Sequence, residues 1–181
     1  MMLTNILNFP VNLDKFKDVE VPSLFQTYSG KQIDLNNINP DDLIIEDIAE
    51  ALSRLPRFVG QAKSEISVGE HSLHVCYESP EELKLEGLMD DTSEYLLNDI
   101  AKPIKNLLPD YQHYEHLLMT ALAEKFKFQY PKPASIKDAD IRVVKYEWHQ
   151  YKINQRPSAD IPAPELIRDI FLEQFYKYER K

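Results

Sequence analysis

The chain has one cysteine and 4 glycines in 181 residues, and each scarcity removes a class of structure. A lone thiol, Cys76, cannot form an intramolecular disulfide, so a cystine-stapled scaffold is excluded. No apolar run approaches the ~20 residues that span a bilayer, and the opening MMLTNILNFPVNL lacks the charged-then-apolar order of a secretory signal. These absences predict a soluble, cytoplasmic protein with no membrane partner. Positive charge is short as well: 21 Lys and Arg against 30 Asp and Glu leave a formal charge of −9. Affinity for a nucleic-acid polymer comes largely from Lys and Arg contacts to phosphates, so such a partner is disfavoured. A small phosphorylated ligand needs only a few local cations. The chain contains no internal repeat and no low-complexity tract.

What is present is enough for a core. With 43% apolar and 10% aromatic residues, the simplest organisation is one domain over residues 1–181. Because proline (12) outnumbers glycine, proline and polar clusters mark most breaks. Asn39-Pro40-Asp41-Asp42 reads as a helix start, with Leu43, Ile44, Ile48 and Leu52 as its apolar stripe, ending near Pro56. Ser67 and Glu70 have capping-box spacing and open a helix carrying His71, Val75 and Cys76. Ser79-Pro80-Glu81-Glu82 starts another, expected to run to Pro103, and further helices are expected at Pro109–Phe126, Ser135–Tyr151 and Pro162–Tyr178. Residues 1–40 read as irregular, with short strands at Val19-Glu20-Val21 and Lys31–Leu35 around the Ser29-Gly30 turn. The expected fold class is all-α, with a small β-hairpin near the N-terminus.

The segment GLMDDTSEYLLNDIAKPIK, Gly87 to Lys105, is the most informative stretch. Asp90, Asp91, Glu94 and Asp99 place four carboxylates within ten residues of an otherwise apolar pattern formed by Leu85, Leu88, Met89, Leu96, Leu97 and Ile100. At about 100° per residue, Asp91 and Glu94 would share a helical face with Asp90 beside them. A solvated acidic face is the bland explanation. The apolar flanks argue for burial instead, and buried carboxylates need a cation. With His71 upstream, the grouping has the composition of a metal site.

This stretch resembles the signature of the HD-domain metal-dependent phosphohydrolases, in particular the small nucleotide phosphohydrolases of bacteria and phages: Asp91, Glu94, Asp99, Pro103 and Lys105 fall in register with it. The resemblance extends through FQTYSGKQIDL (Phe25 to Leu35), IEDIAEALSRLPRFVGQ (Ile45 to Gln61), SVGEHS (Ser67 to Ser72) and DADIRVVKYE (Asp138 to Glu147), or roughly residues 25 to 150. It implies an HD-type helical bundle and a metal held by His71, the doublet Asp90-Asp91, and Asp140. One position departs: where the family has His-Asp, this chain has Asp90-Asp91. An aspartate there makes the ligand set harder and more anionic, favouring Mn²⁺ or Mg²⁺, with Co²⁺ also admitted.

The chemistry so implied is metal-assisted hydrolysis of a nucleotide phosphate ester, a deoxynucleoside mono- or triphosphate, with Glu94 handling the water and Asp99 assisting. Arg57, Phe58, Gln61 and Lys63 correspond to a stretch bordering the family's substrate pocket, and Lys105 with Lys102 could neutralise phosphate from the other side. The alternative is a nucleotide-binding or regulatory module in which Asp90 has abolished turnover. The implied partners are a small nucleotide and, at most, further copies of the chain in a homo-oligomer. His74, His113, His116 and His149 read as structural or surface histidines, and Cys76 as core.

Overall fold

The computed structural model describes residues 24–180, and its regular structure is helical apart from one two-stranded antiparallel sheet. Strands β1 (Phe25–Gln26) and β2 (Gln32–Ile33) pair with Phe25 opposite Ile33, around the Ser29-Gly30 turn expected there. Gly30 supplies the positive φ (89°) that such a turn needs. The expected strand at Val19–Val21 lies outside the described residues. The hairpin is tied down by Asp47, which accepts from Thr27 Oγ1 at 2.6 Å, from the Ser29 N–H at 2.8 Å and from Ser29 Oγ at 2.8 Å.

The helices are α1 (Ile45–Arg54), α2 (Val68–Glu78), α3 (Lys84–Leu88), α4 (Glu94–Leu97), α5 (Lys102–Lys105), α6 (Pro109–Phe126), α7 (Ala134–Glu147) and α8 (Pro164–Tyr178). Asn39 does cap a helical start, accepting from the Asp41 N–H, but that turn is a single 3-10 turn at Pro40–Asp42. Leu43 and Ile44 are extended before α1 begins. The Ser67 cap is as expected, with Oγ accepting from the Glu70 N–H at 3.1 Å. The Glu70 side chain does not close the box; it pairs with Arg156 at 2.6 Å.

The long helix expected from Ser79 to Pro103 is broken. A 3-10 turn, α3, a turn through residues 89–93 and α4 replace it, and Asn98 ends the run at φ 64°. The cause is local: Asp90-Asp91-Thr92-Ser93 are short polar residues whose side chains compete with the helical ladder. Thr92 Oγ1 donates to the Met89 carbonyl at 2.8 Å. Asp90 and Asp91 therefore sit in a bend ahead of α4, and the single helical face expected to carry Asp91 and Glu94 with Asp90 beside them is not formed.

The core is made where α1 packs along α8 and α2 packs against α1, α3 and α7. Ile48, Leu52, Val68, Leu88, Leu118, Leu122 and Phe171 are buried there, each such side chain contributing about 1.5–3 kcal/mol by leaving water. Two backbone bonds, Arg57 N–H to Ile66 O at 2.9 Å and Val68 N–H to Leu55 O at 2.8 Å, bring the end of α1 to the start of α2 and pinch the loop between them. That pinch sets Arg57 and His71 on the same side of the molecule. No described helix is long and apolar enough to cross a membrane.

Candidate active site

His71 lies one turn into α2, where the Ser67 cap fixes the helix start, and it is fully buried. Its Nδ1 is 2.9 Å from Glu147 Oε2 at the end of α7. Its Nε2 is 3.2 Å from Asp91 Oδ2 in the bend and 3.3 Å from Asp140 Oδ1 on α7, with no well-directed hydrogen bond. Among the described residues no three or more His, Cys, Asp or Glu groups meet as a ready-made coordination shell. The contacts centre instead on one nitrogen. Two donors about 2.1–2.2 Å from a common ion at right angles lie about 3.0–3.1 Å apart, so the two separations are also close to those of neighbouring ligands.

Glu147 is the anchor of this arrangement. Its carboxylate has no exposure and takes both His71 Nδ1 and His74 Nδ1, each at 2.9 Å. Burial pushes its pKa up, but the two histidines and Arg57 hold it down to about 2. Burial and Arg57 push His71 toward neutrality, yet the carboxylates of Asp140, Asp91 and Glu147 around the ring outweigh them and raise its pKa well above the ordinary value. Asp91 is likewise raised by burial and lowered more strongly by His71, Arg57 and Lys132, ending far below the usual range.

Arg57 sits among the acids rather than reaching into open solvent. Its guanidinium is 3.6 Å from Asp91, 3.8 Å from Asp99 and 3.7 Å from Glu147, ion-pair distances longer than hydrogen bonds. Glu94 is buried with Oε2 unpartnered; burial, then Asp91 and Asp99, raise its pKa well above a normal carboxyl. Asp99 is raised by burial, against the pull of Arg57, and accepts the Phe58 N–H at 3.2 Å. Asp90 differs from its neighbour: Oδ2 is 2.8 Å from Lys132 Nζ and Oδ1 is buried without a partner. Burial and the charge of Asp91 push the Asp90 carboxyl up to about 7, against Lys132.

Arg57, Asp90, Asp91, Glu94, Asp99 and Asp140 line a cleft of about 800 Å³ whose walls include Phe58, Tyr130 and Trp148 and whose cations include Lys102, Lys105, Lys132 and Lys145; His71 and Glu147, fully buried, are not among its lining residues. Phe58 meets Trp148 edge to face at 5.8 Å. Lys105 lines the cleft as expected and pairs with Glu115 at 2.7 Å. Gln61 and Lys63, proposed from sequence to touch substrate, do not line it and are exposed elsewhere. The backbone explains why: Phe58, Val59 and Gly60 all have positive φ, near 55°, 55° and 69°, and this left-handed turn carries the chain away after Phe58.

Lys132, Trp148 and Glu147 are among the site residues that the sequence does not single out. Lys132 lies in the proline-rich break after α6, where nothing local signals a role. Trp148 lies in the π-helical turn after α7. Glu147 left a faint trace, an acid on the Asp140 and Val143 stripe of α7. His113 and His116 are exposed, and Cys76 is buried with its thiol pushed up to about 11 by burial, as the sequence reading had them.

Fold and site together define an all-α protein with a buried histidine–carboxylate centre beneath a cleft ringed by lysines. No family model matches the chain. It is similar to the uncharacterized protein YfdR of Escherichia coli K12, with 35% identity over 160 residues, 86% of this chain and 90% of that one. An uncharacterized protein of Rhodobacter capsulatus is 35% identical over 121 residues, 61% of this chain and 62% of its own. The chain belongs to the YfdR family.

Proposed function

We propose that the chain is a metal-dependent phosphohydrolase of the HD type, acting on nucleotides, deoxynucleoside mono- or triphosphates, in the cytoplasm. The observation that carries this reading is His71 Nε2, buried without a well-directed hydrogen bond and flanked at 3.2 and 3.3 Å by Asp91 and Asp140. One imidazole and two carboxylates, delivered by α2, the bend before α4, and α7, suit a hard-to-borderline divalent ion such as Mn²⁺, Mg²⁺ or Co²⁺. Glu147 would hold the imidazole in the tautomer that leaves Nε2 free. Such an ion supplies Lewis-acid polarisation of a phosphoryl oxygen and a more acidic bound water.

The remaining steps fall to the protein's own side chains. Glu94, whose pKa lies well above a normal carboxyl, is suited to accept a proton from the attacking water and pass it on. Asp99 fixes the Phe58 backbone and shares Arg57 with Asp91, keeping the acids in place. Phe58 and Trp148 offer apolar faces for a nucleobase, and Lys102, Lys105 and Lys145 make the rim attractive to phosphate. The decisive experiment is metal analysis of the purified protein with a phosphate-release screen over nucleotides, run beside His71→Ala. Metal-dependent release that disappears in the variant supports the reading; release that persists in the variant sinks it.

A second reading, a nucleotide-binding module without turnover, is favoured by one feature. Asp90, standing where the resemblance expects a metal ligand, is engaged by Lys132. Saturable nucleotide binding with no phosphate release under any metal would select this reading.

A further inference from the structure

The charge at position 90 is not free. Asp90 is 8% exposed, and the 2.8 Å contact of its Oδ2 with Lys132 Nζ is the ammonium's only hydrogen bond among the described residues. Lys132 keeps 40% of its side-chain exposure and lines the same cleft as Asp91 and Asp140. An ammonium has three donors; one is used on Asp90, and the others remain for whatever enters. The other cleft cations are placed differently. Arg57 is shared among three carboxylates and Lys105 is paired with Glu115, while Lys102 and Lys145 are exposed with no acid holding them among the described residues. Lys132 alone among them is both anchored at one end by a buried acid and partly open to the cleft.

We propose that Lys132, held in place by Asp90, is a phosphate-binding residue of this cleft, and that the Asp90–Lys132 pair is one functional unit. The inference deepens the phosphohydrolase reading and rests on it for the identity of the substrate. Paired with the Lys132 ammonium, Asp90 adds no net negative charge beside Asp91 and Asp140, and the position presents a fixed donor to an anionic phosphate. The substrate class follows: a phosphate monoester or polyphosphate whose terminal oxygens sit within reach of both the His71 centre and the Lys132 ammonium.

Trp148, the chain's single tryptophan, lines the cleft and reports binding by its fluorescence. Metal-free protein is titrated with inorganic phosphate and with deoxyadenosine monophosphate. Lys132→Met should weaken phosphate binding by about 10-fold or more, the scale of one charged hydrogen bond, and Lys132→Arg should restore most of it. The double variant Asp90→Asn with Lys132→Gln keeps the net charge and the contact between the two side chains but removes the ammonium. It should lose phosphate affinity as Lys132→Met does. Unchanged affinity in the folded double variant overturns the proposal, because a purely structural ion pair would leave binding untouched; the same variant decides the matter if Lys132→Met does not fold. Mn²⁺-dependent thermal stabilisation, compared with His71→Ala, is measured in parallel. Stabilisation that depends on His71 but phosphate binding that ignores Lys132 rejects this inference alone. The reverse pattern supports the lysine and rejects the metal reading.

Discussion

Between pH 6.5 and 8.5 the metal-free protein should lose stability, and Mn²⁺ should remove that loss. His71 Nδ1 is 2.9 Å from Glu147 and Nε2 is 3.2 and 3.3 Å from Asp91 and Asp140, so without an ion both nitrogens face carboxylates and the ring is held as imidazolium. Its folded pKa is raised well above 6.5. A group raised on folding contributes stability that is fully present below its unfolded pKa and is lost as pH climbs through the folded one. For His71 that loss amounts to about 1.4 kcal/mol per pH unit above roughly 6.5. In a chain of 181 residues this corresponds to roughly 3–6 °C in Tm per pH unit. The raised carboxyls Asp90 and Glu94 act with the same sign from lower pH upward, while the depressed Asp91 and Glu147 add stability only as pH rises toward about 4.5 and are silent in this window. An ion on Nε2 takes the place of the proton, so binding should release about one proton and apparent Mn²⁺ affinity should rise about tenfold per pH unit. Differential scanning calorimetry across the pH series, with titration calorimetry in buffers of different ionisation enthalpy, measures both. A metal-free Tm that is flat or rising from pH 6.5 to 8.5, or Mn²⁺ binding that releases no proton, would refute the assignment of His71.

Asp91→Ala or Asp140→Ala should abolish Mn²⁺ stabilisation while His113→Ala retains it; equal behaviour of the three in thermal shift assays contradicts the ligand set. Glu94→Gln should keep metal affinity and lower turnover by about 10²-fold or more, and loss of metal in that variant would move Glu94 into the coordination shell. Val59, β-branched, 55% exposed and held at φ 55°, should gain about 0.5–1 kcal/mol on substitution by glycine, since the left-handed conformation costs a non-glycine residue about 1–2 kcal/mol; denaturant unfolding checks the sign. Gly87→Ala should cost about 1–3 kcal/mol, because an added Cβ would lie 2.2 Å from Ser79 Oγ and 3.1 Å from the Val75 carbonyl; an unchanged midpoint would show that Ser79 moves freely.

The all-α class, the Ser67 cap, the hairpin turn at Ser29-Gly30 and the burial of the acidic stretch were legible because each depends on neighbours in sequence. Apolar spacing, a capping hydroxyl and a turn residue act over a few positions. The pairing of His71 with Asp91 and Asp140 was expected from the resemblance, and periodicity could not have supplied it. Where the local reading failed, the cause lay in competition it could not weigh: four short polar side chains at 90–93 broke a helix that the flanking leucines favoured. The left-handed turn at 58–60, which the resemblance does not reveal, carries Gln61 and Lys63 off the cleft. Tertiary structure alone decided how the buried charges cancel. Glu147 is 76 residues from the histidine it holds, and Lys132 is 42 residues from Asp90. A carboxylate leaving water needs a cation or donor within a few ångströms, and sequence records that need without recording which distant side chain meets it.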